Sequence, residues 1–280
     1  MLGSSSSSAT SETPSPNRSI WATAAALWSC ARLKADEKIR GGLIYLFPEY
    51  TLRFAALFPL LALWQSIYQS GGAEDFGFSL NQLLLYTLLS SALQDQLVVR
   101  SPASGWLYQG LFISLFQRPL GIFSQLIALT IGSWVPDLLF YTVPLLTISP
   151  WLGISLTSIS PFFWPSFLLC IAVGFAVDLL FATLLIRMQQ SSWLITVIRR
   201  AIVGLFSGSI IPFAAFPFGI GQWLQYSPFG ALAGAPLAIA VGSPNVALLM
   251  TCQVAWLLIL WPLAFAYYNS SRERMMSYGG

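Results

Sequence analysis

The chain has no histidine, only two lysines and three cysteines, and just 8% of its residues are charged. Each shortage excludes something. Without histidine there is no base for a Ser-His type of nucleophilic catalysis. Cys30, Cys170 and Cys252 are odd in number and far apart, so they lack the paired spacing of a metal site and read as small buried hydrophobes. Lys34 and Lys38 do not close a Gly-x-x-x-x-Gly-Lys-Ser/Thr loop, so the sequence holds no such phosphate cradle. The net charge of +3 is too small to call for a nucleic-acid partner. No long polar stretch exists beyond the first twenty or so residues and the short loops, which excludes a soluble domain.

What is abundant is apolar surface, at 56% of residues. About 20 apolar residues of helix cover the ~30 Å hydrocarbon core of a bilayer, and several runs here are that long. The thirteen basic residues fall between or at the edges of those runs. They cluster at Arg18, Arg32, Lys34, Lys38, Arg40 and Arg53; at Arg100 and Arg118; at Arg187, Arg199 and Arg200; and at Arg272 and Arg274. Because Lys and Arg stay on the cytoplasmic side, alternate loops are inner ones and both termini lie inside. The crossings fall at about Leu52–Tyr68, Leu80–Val99, Leu120–Ile148, Phe162–Ile186, Ala201–Pro212 and Val246–Tyr268. The expectation is an all-α, polytopic integral membrane protein with six transmembrane helices.

Three segments depart from plain crossings. Residues 1–19 form a Ser-rich tail that cannot offset its chain entropy and is expected to be disordered, leaving 20–280 as one transmembrane domain. Ser19–Arg40 is too short and too charged to span, and fits an N-terminal interfacial helix against membrane lipids. Pro212–Pro244 is apolar yet broken by Pro217, Pro228, Pro236 and by Gly219, Gly221, Gly230 and Gly234. A straight helix cannot carry that density of breakers. It reads as an outer re-entrant segment between helices 5 and 6, covered by protein or by a water-filled cavity. The long third run predicts a kink at Pro136 or Pro144.

Asp137 and Asp178 sit inside apolar crossings, where a carboxylate costs several kcal/mol unless it faces protein or water. They are candidates for a translocation path, with a polar helix contact as the alternative. Neither sits in the Gly-x-Gly-Asp setting of an intramembrane aspartyl protease. Glu49 and Arg53, four apart, are expected to pair on one helix face. Gly204-Leu-Phe-Ser-Gly208 is a small-xxx-small face suited to close packing, either between two copies or within the chain.

Several local signatures, taken in order, resemble one family. They are Gly77-Phe-Ser-Leu-Asn-Gln-Leu-Leu-Leu-Tyr86, the stretch from Ser101 closing in Phe116-Gln-Arg-Pro-Leu120, and Phe206-Ser-Gly-Ser-Ile-Ile-Pro212. Phe216-Pro217, Gln222-Trp-Leu-Gln-Tyr-Ser-Pro-Phe229 and the terminal Tyr278-Gly-Gly280 complete them. From about Trp21 to Gly280 the chain resembles the permease subunit of bacterial ABC type-2 exporters without a fused ATPase. That resemblance implies a multi-pass protein of the bacterial cytoplasmic (inner) membrane. It implies two copies, or this chain with a related permease, over two copies of an ABC ATPase subunit, which alone would carry ATP and Mg. It puts the ATPase-coupling contact on Trp106, Tyr108, Phe112, Phe116 and Arg118, for which an interfacial aromatic belt is the alternative. It sets the fifth crossing, with Gly204 and Gly208, near a two-fold dimer interface. The chain itself would then be a transport subunit with no catalytic residue, metal or cofactor. A proton-coupled carrier using Asp137 or Asp178 is the competing reading, although the paired internal repeats expected of one are not evident.

Overall fold

The computed structural model describes residues 16–41, 43–70, 77–102, 115, 117–187 and 192–271. Among them there are helices and no strands. We number the helices α1 Pro16–Arg40, α2 Leu43–Gln69, α3 Leu80–Ala92, α4 Gln94–Leu97, α5 Ile122–Asp137 and α6 Val143–Ile148. They continue as α7 Phe163–Arg187, α8 Ser192–Phe206, α9 Ile220–Leu224, α10 Gly234–Ala240 and α11 Val246–Asn269.

Among the described residues four stretches are long and apolar enough to cross a membrane: Leu46–Gln69, Ile122–Leu152, Phe163–Leu185 and Val246–Asn269. The protein is therefore a helical membrane protein. On α2, Leu46, Tyr50, Leu57, Leu61 and Trp64 form one buried stripe at three- and four-residue spacing, while Phe47, Leu52, Phe58 and Leu63 on other faces are exposed. That is an apolar helix with its packing stripe turned inward and its remaining apolar surface left for lipid. The runs expected to be the second and fifth crossings form shorter helices, α3 with α4, and α8. The first breaks at Leu93, whose ψ of 18° leaves the helical region, and the second stops at Phe206.

α3 is the central helix, buried around most of its circumference from Leu83 to Ala92. Its start is fixed by a capping box. The Gln82 backbone N–H donates to the Ser79 hydroxyl at 3.3 Å, and the Ser79 N–H donates to Gln82 Oε1 at 2.8 Å. The main core gathers α2, α3, the turn around Tyr141, and α10. α11 packs along α7, and α1 packs along α5.

Between Pro136 and Pro144 the third run changes from α to π geometry over Leu138–Thr142. The cause is local. Pro144 has no N–H to offer the carbonyl four residues back, so the ladder widens there. Tyr141 lies on this wide turn, fully buried. The run of 31 residues would reach about 46 Å at 1.5 Å per residue, longer than the hydrocarbon core.

Candidate functional site

The α1–α5 contact brings the first group of functional side chains together. Gly132 has no Cβ, and one placed there would lie 2.2 Å from the Ala31 carbonyl oxygen. The glycine thus lets two helix backbones touch. That approach sets Lys38, in the last turn of α1, against Asp137 at the end of α5. The ammonium lies 2.7 and 2.9 Å from the two carboxylate oxygens and 3.1 Å from the Ser133 carbonyl. Tyr50, on the buried stripe of α2, donates its hydroxyl to Asp137 Oδ1 at 2.7 Å. Asp137 is only 3% exposed.

A second group adjoins it. Tyr50 stacks on Tyr141 with ring centroids 5.9 Å apart, and the Arg53 guanidinium sits 5.8 Å from the Tyr141 ring. Arg53 pairs with Glu49 at 2.6 Å, one helical turn away on α2, and with Asp95 at 2.6 Å. Arg100 meets the other oxygen of Asp95 at 3.1 Å. The chain then runs on to a third group. Arg199 of α8 lies 2.5 Å from Asp178 of α7 and donates to the Val99 carbonyl at 2.6 Å. The Ser101 N–H donates to Asp178 at 3.2 Å.

Tyr50 joins the first group to the second and residues 95–101 join the second to the third, giving one belt that ties α1, α2, α4, α5, α7 and α8 together. Four cations (Lys38, Arg53, Arg100, Arg199) meet four carboxylates (Glu49, Asp95, Asp137, Asp178), and the belt is neutral. Charges removed from water hold only when paired and hydrogen-bonded, and here nearly all are both. Two places are exceptions: both amide atoms of Gln96, beside Asp95, and Arg199 Nε are buried with no partner among the described residues. Asp137 and Asp178 are brought into the same network but into different ion pairs. The sequence reading singled out these two acids and the Glu49–Arg53 pair. In the sequence Lys38 and Arg199 read only as markers of the inner side, and nothing there assigns Asp95 a role.

The irregular stretch after α8 is held by a different device. Gln82, Tyr86 and Ser90, four residues apart on one face of α3, donate in turn to the carbonyls of Val241 at 2.7 Å, Gly208 at 2.5 Å, and Ser209. From the other side, Gln253 of α11 donates to Ala231 at 2.9 Å, and Trp256 to Tyr226 at 2.8 Å. Gln253 also exchanges hydrogen bonds with Ser166 of α7, at 2.8 and 3.1 Å. Non-helical backbone buried in a membrane protein needs such partners for its freed carbonyls. The α3 spacing of four residues was the signal available in the sequence.

The other sequence-derived candidates fall as follows. Gly208 lies beyond the end of α8, at φ 76° with Phe213 and Tyr86 around it, so it does not share a helix face with Gly204. Trp106, Tyr108, Phe112 and Phe116 lie outside the described residues. Arg118 is exposed, with one guanidinium nitrogen 3.5 Å from the Cys30 sulfur of α1. Among the described residues no group of His, Cys, Asp or Glu is placed to hold a metal ion. Comparison with protein-family models, curated proteins and solved structures gives no match for this chain.

Proposed function

We propose that the chain is the transmembrane subunit of a bacterial ATP-driven exporter of the ABC type-2 class, forming the translocation path and coupling to a separate ATPase. In this reading it sits in the cytoplasmic membrane as a dimer, or with a related permease, with both termini inside. It makes six crossings, α3–α4 and α8 being the two short ones, and the stretch between α8 and α11 is the outer re-entrant piece. Two ATPase subunits beneath it carry the nucleotide and Mg.

The observation that carries the proposal is the neutral belt of cross-helix ion pairs. It joins α1, the end of α4 and four further helices near the basic clusters, and a joined set of elements moves as a body. A push from below is then transmitted to several crossings together, as alternation between two states requires. The same belt argues against the proton-carrier reading, because Asp137 and Asp178, the acids such a carrier would use, already neutralise Lys38 and Arg199. The family signatures in the sequence and its lack of a phosphate cradle support an ATPase on another chain.

The test is at the coupling segment. Between Ser101 and Gln117 there is no charged residue, so a helix from it would dock as an apolar plug, at roughly 25 cal/mol per Å² buried. Phe112→Asp loses that burial and adds a charge to desolvate. A cost of a few kcal/mol lowers occupancy a hundredfold or more, since about 1.4 kcal/mol is tenfold. Phe112→Asp should leave the permease inserted but abolish pull-down of the ATPase at matched membrane levels. Undiminished pull-down would move the contact elsewhere, first to Arg187–Arg200, and return Trp106–Phe116 to an interfacial belt.

A further inference from the structure

At the end of α3 away from the ion-pair belt, Gly77 and Phe78 meet the 212–243 stretch around an open cavity of about 300 Å³. That volume is at the small end of the range for small-molecule sites, roughly 300–1,000 Å³. Its chemistry is selective. Four aromatic side chains line it, Phe78, Tyr86, Phe213 and Phe216, together with Gln222, Gln225 and Ser243. Among the described residues no charged side chain lines it. Gln225 donates one N–H to the Gln222 carbonyl at 3.1 Å, while the Gln222 amide and Gln225 Oε1 make no hydrogen bond among the described residues. Beside the cavity Phe218 is held at φ 60°, in the left-handed region that a bulky residue rarely adopts, with 96% of its surface exposed. Backbone strain of that kind persists where the surrounding structure enforces it, and it gathers at binding sites.

We propose that this cavity binds a neutral ring bearing several hydroxyls, of the size of a hexose unit. The C–H faces of such a ring lie against aromatic side chains. Its hydroxyls both give and take hydrogen bonds, which matches amide groups that offer N–H donors and a carbonyl acceptor side by side. A charged ligand would lose part of its hydration here and find no countercharge among the described residues. A purely apolar ligand would leave the Gln222 and Gln225 amides unanswered. The proposal is independent of what drives the chain, because it concerns binding alone and holds for a carrier as for an ATP-driven exporter.

The experiment uses the full chain in nanodiscs of lipids without sugar headgroups, prepared without glycoside detergents, whose heads would compete for the site. Glucose, maltose and N-acetylglucosamine are titrated by saturation-transfer NMR, with glucosamine and glucuronate as charged counterparts. At least one neutral sugar should bind saturably, and the charged ones at least about tenfold more weakly, a difference of ~1.4 kcal/mol. Gln222→Ala with Gln225→Ala should weaken binding about tenfold or more, and Ala238→Phe, which fills the cavity, should abolish it. The glutamine changes lie at the cavity mouth and leave the packed core alone, so they hold the test even if the filled variant misfolds. No saturable binding of any neutral sugar, equal binding of the charged ones, or binding indifferent to the glutamine changes would overturn the proposal. ATPase association is not read in this experiment, so its outcome is separate from that of the exporter reading.

Discussion

Lys38→Met removes the ammonium that faces Asp137 and keeps the apolar stem. The Asp137 carboxylate, 5% exposed against 28% for the Lys38 side chain, then keeps the Tyr50 hydroxyl of the contacts described above. Breaking a fully buried pair by deleting one partner costs ~3–5 kcal/mol. Lys38 is part-exposed, so solvent screens some of that loss and leaves about 2 kcal/mol. Since about 1.4 kcal/mol is tenfold, the docking equilibrium of α1 should shift about 30-fold toward release. Cys30 reports it. The thiol is 8% exposed on the face of α1 that meets α5, so a maleimide reaches it chiefly when α1 lifts away. Labelling followed by peptide mass spectrometry should show Cys30 reacting about 30-fold faster in Lys38→Met, with Cys252 on α11 unchanged as the internal control. In Lys38→Met with Asp137→Leu neither charge is left alone, and the rate should return to within about threefold of the wild type. A wild-type rate in the single variant, or a double variant as fast as the single, would refute the idea that this pair holds α1.

Two other expectations follow from the same packing. Tyr86→Phe leaves the Gly208 carbonyl buried without its donor, a loss of about 1–2 kcal/mol; the midpoint of thermal unfolding should fall, by roughly 2–4 °C per kcal/mol at this size, and faster amide exchange should be confined to the segment after α8. For topology, cysteines placed at Gly72 and Ser158 should label with an impermeant reagent from outside and one at Gln190 should not; labelling at Gln190 in intact cells would overturn the six-crossing map.

Local rules reached some parts of this molecule and not others. The Glu49–Arg53 pair, a separation of four on one helix, was legible, and so was a disturbance of the third run between Pro136 and Pro144. The partner of each buried acid was not. Lys38 and Asp137 are 99 positions apart, and Arg53 and Asp95 are 42 apart, and helix periodicity carries no information at such distances. The same cations also satisfy the positive-inside pattern, so the sequence offered a sufficient reason for them that hid the second one. For α1 the sequence shows a mixed apolar and basic helix. Its buried face, with Cys30 and Ala35 at the centre and Lys34 and Lys38 at its edge, is defined by α5 rather than by hydrophobicity. The breakers between Pro212 and Pro244 announced irregular backbone, yet three of the donors that stabilise it, Gln82, Tyr86 and Ser90, lie 119 to 159 positions earlier in the chain, and Gln253 is on the helix that follows.

The central claim, a transport subunit driven from another chain, is tested most directly by purifying the tagged, full-length protein from its own membranes and measuring ATP turnover and composition together. The account predicts that an ATPase with a phosphate-cradle motif co-purifies in equal amount. It also predicts that turnover tracks that second chain and vanishes when it is stripped away. ATP hydrolysis by this chain alone would contradict the account. So would an ATPase-free preparation that moves protons across a liposome membrane through Asp137 or Asp178.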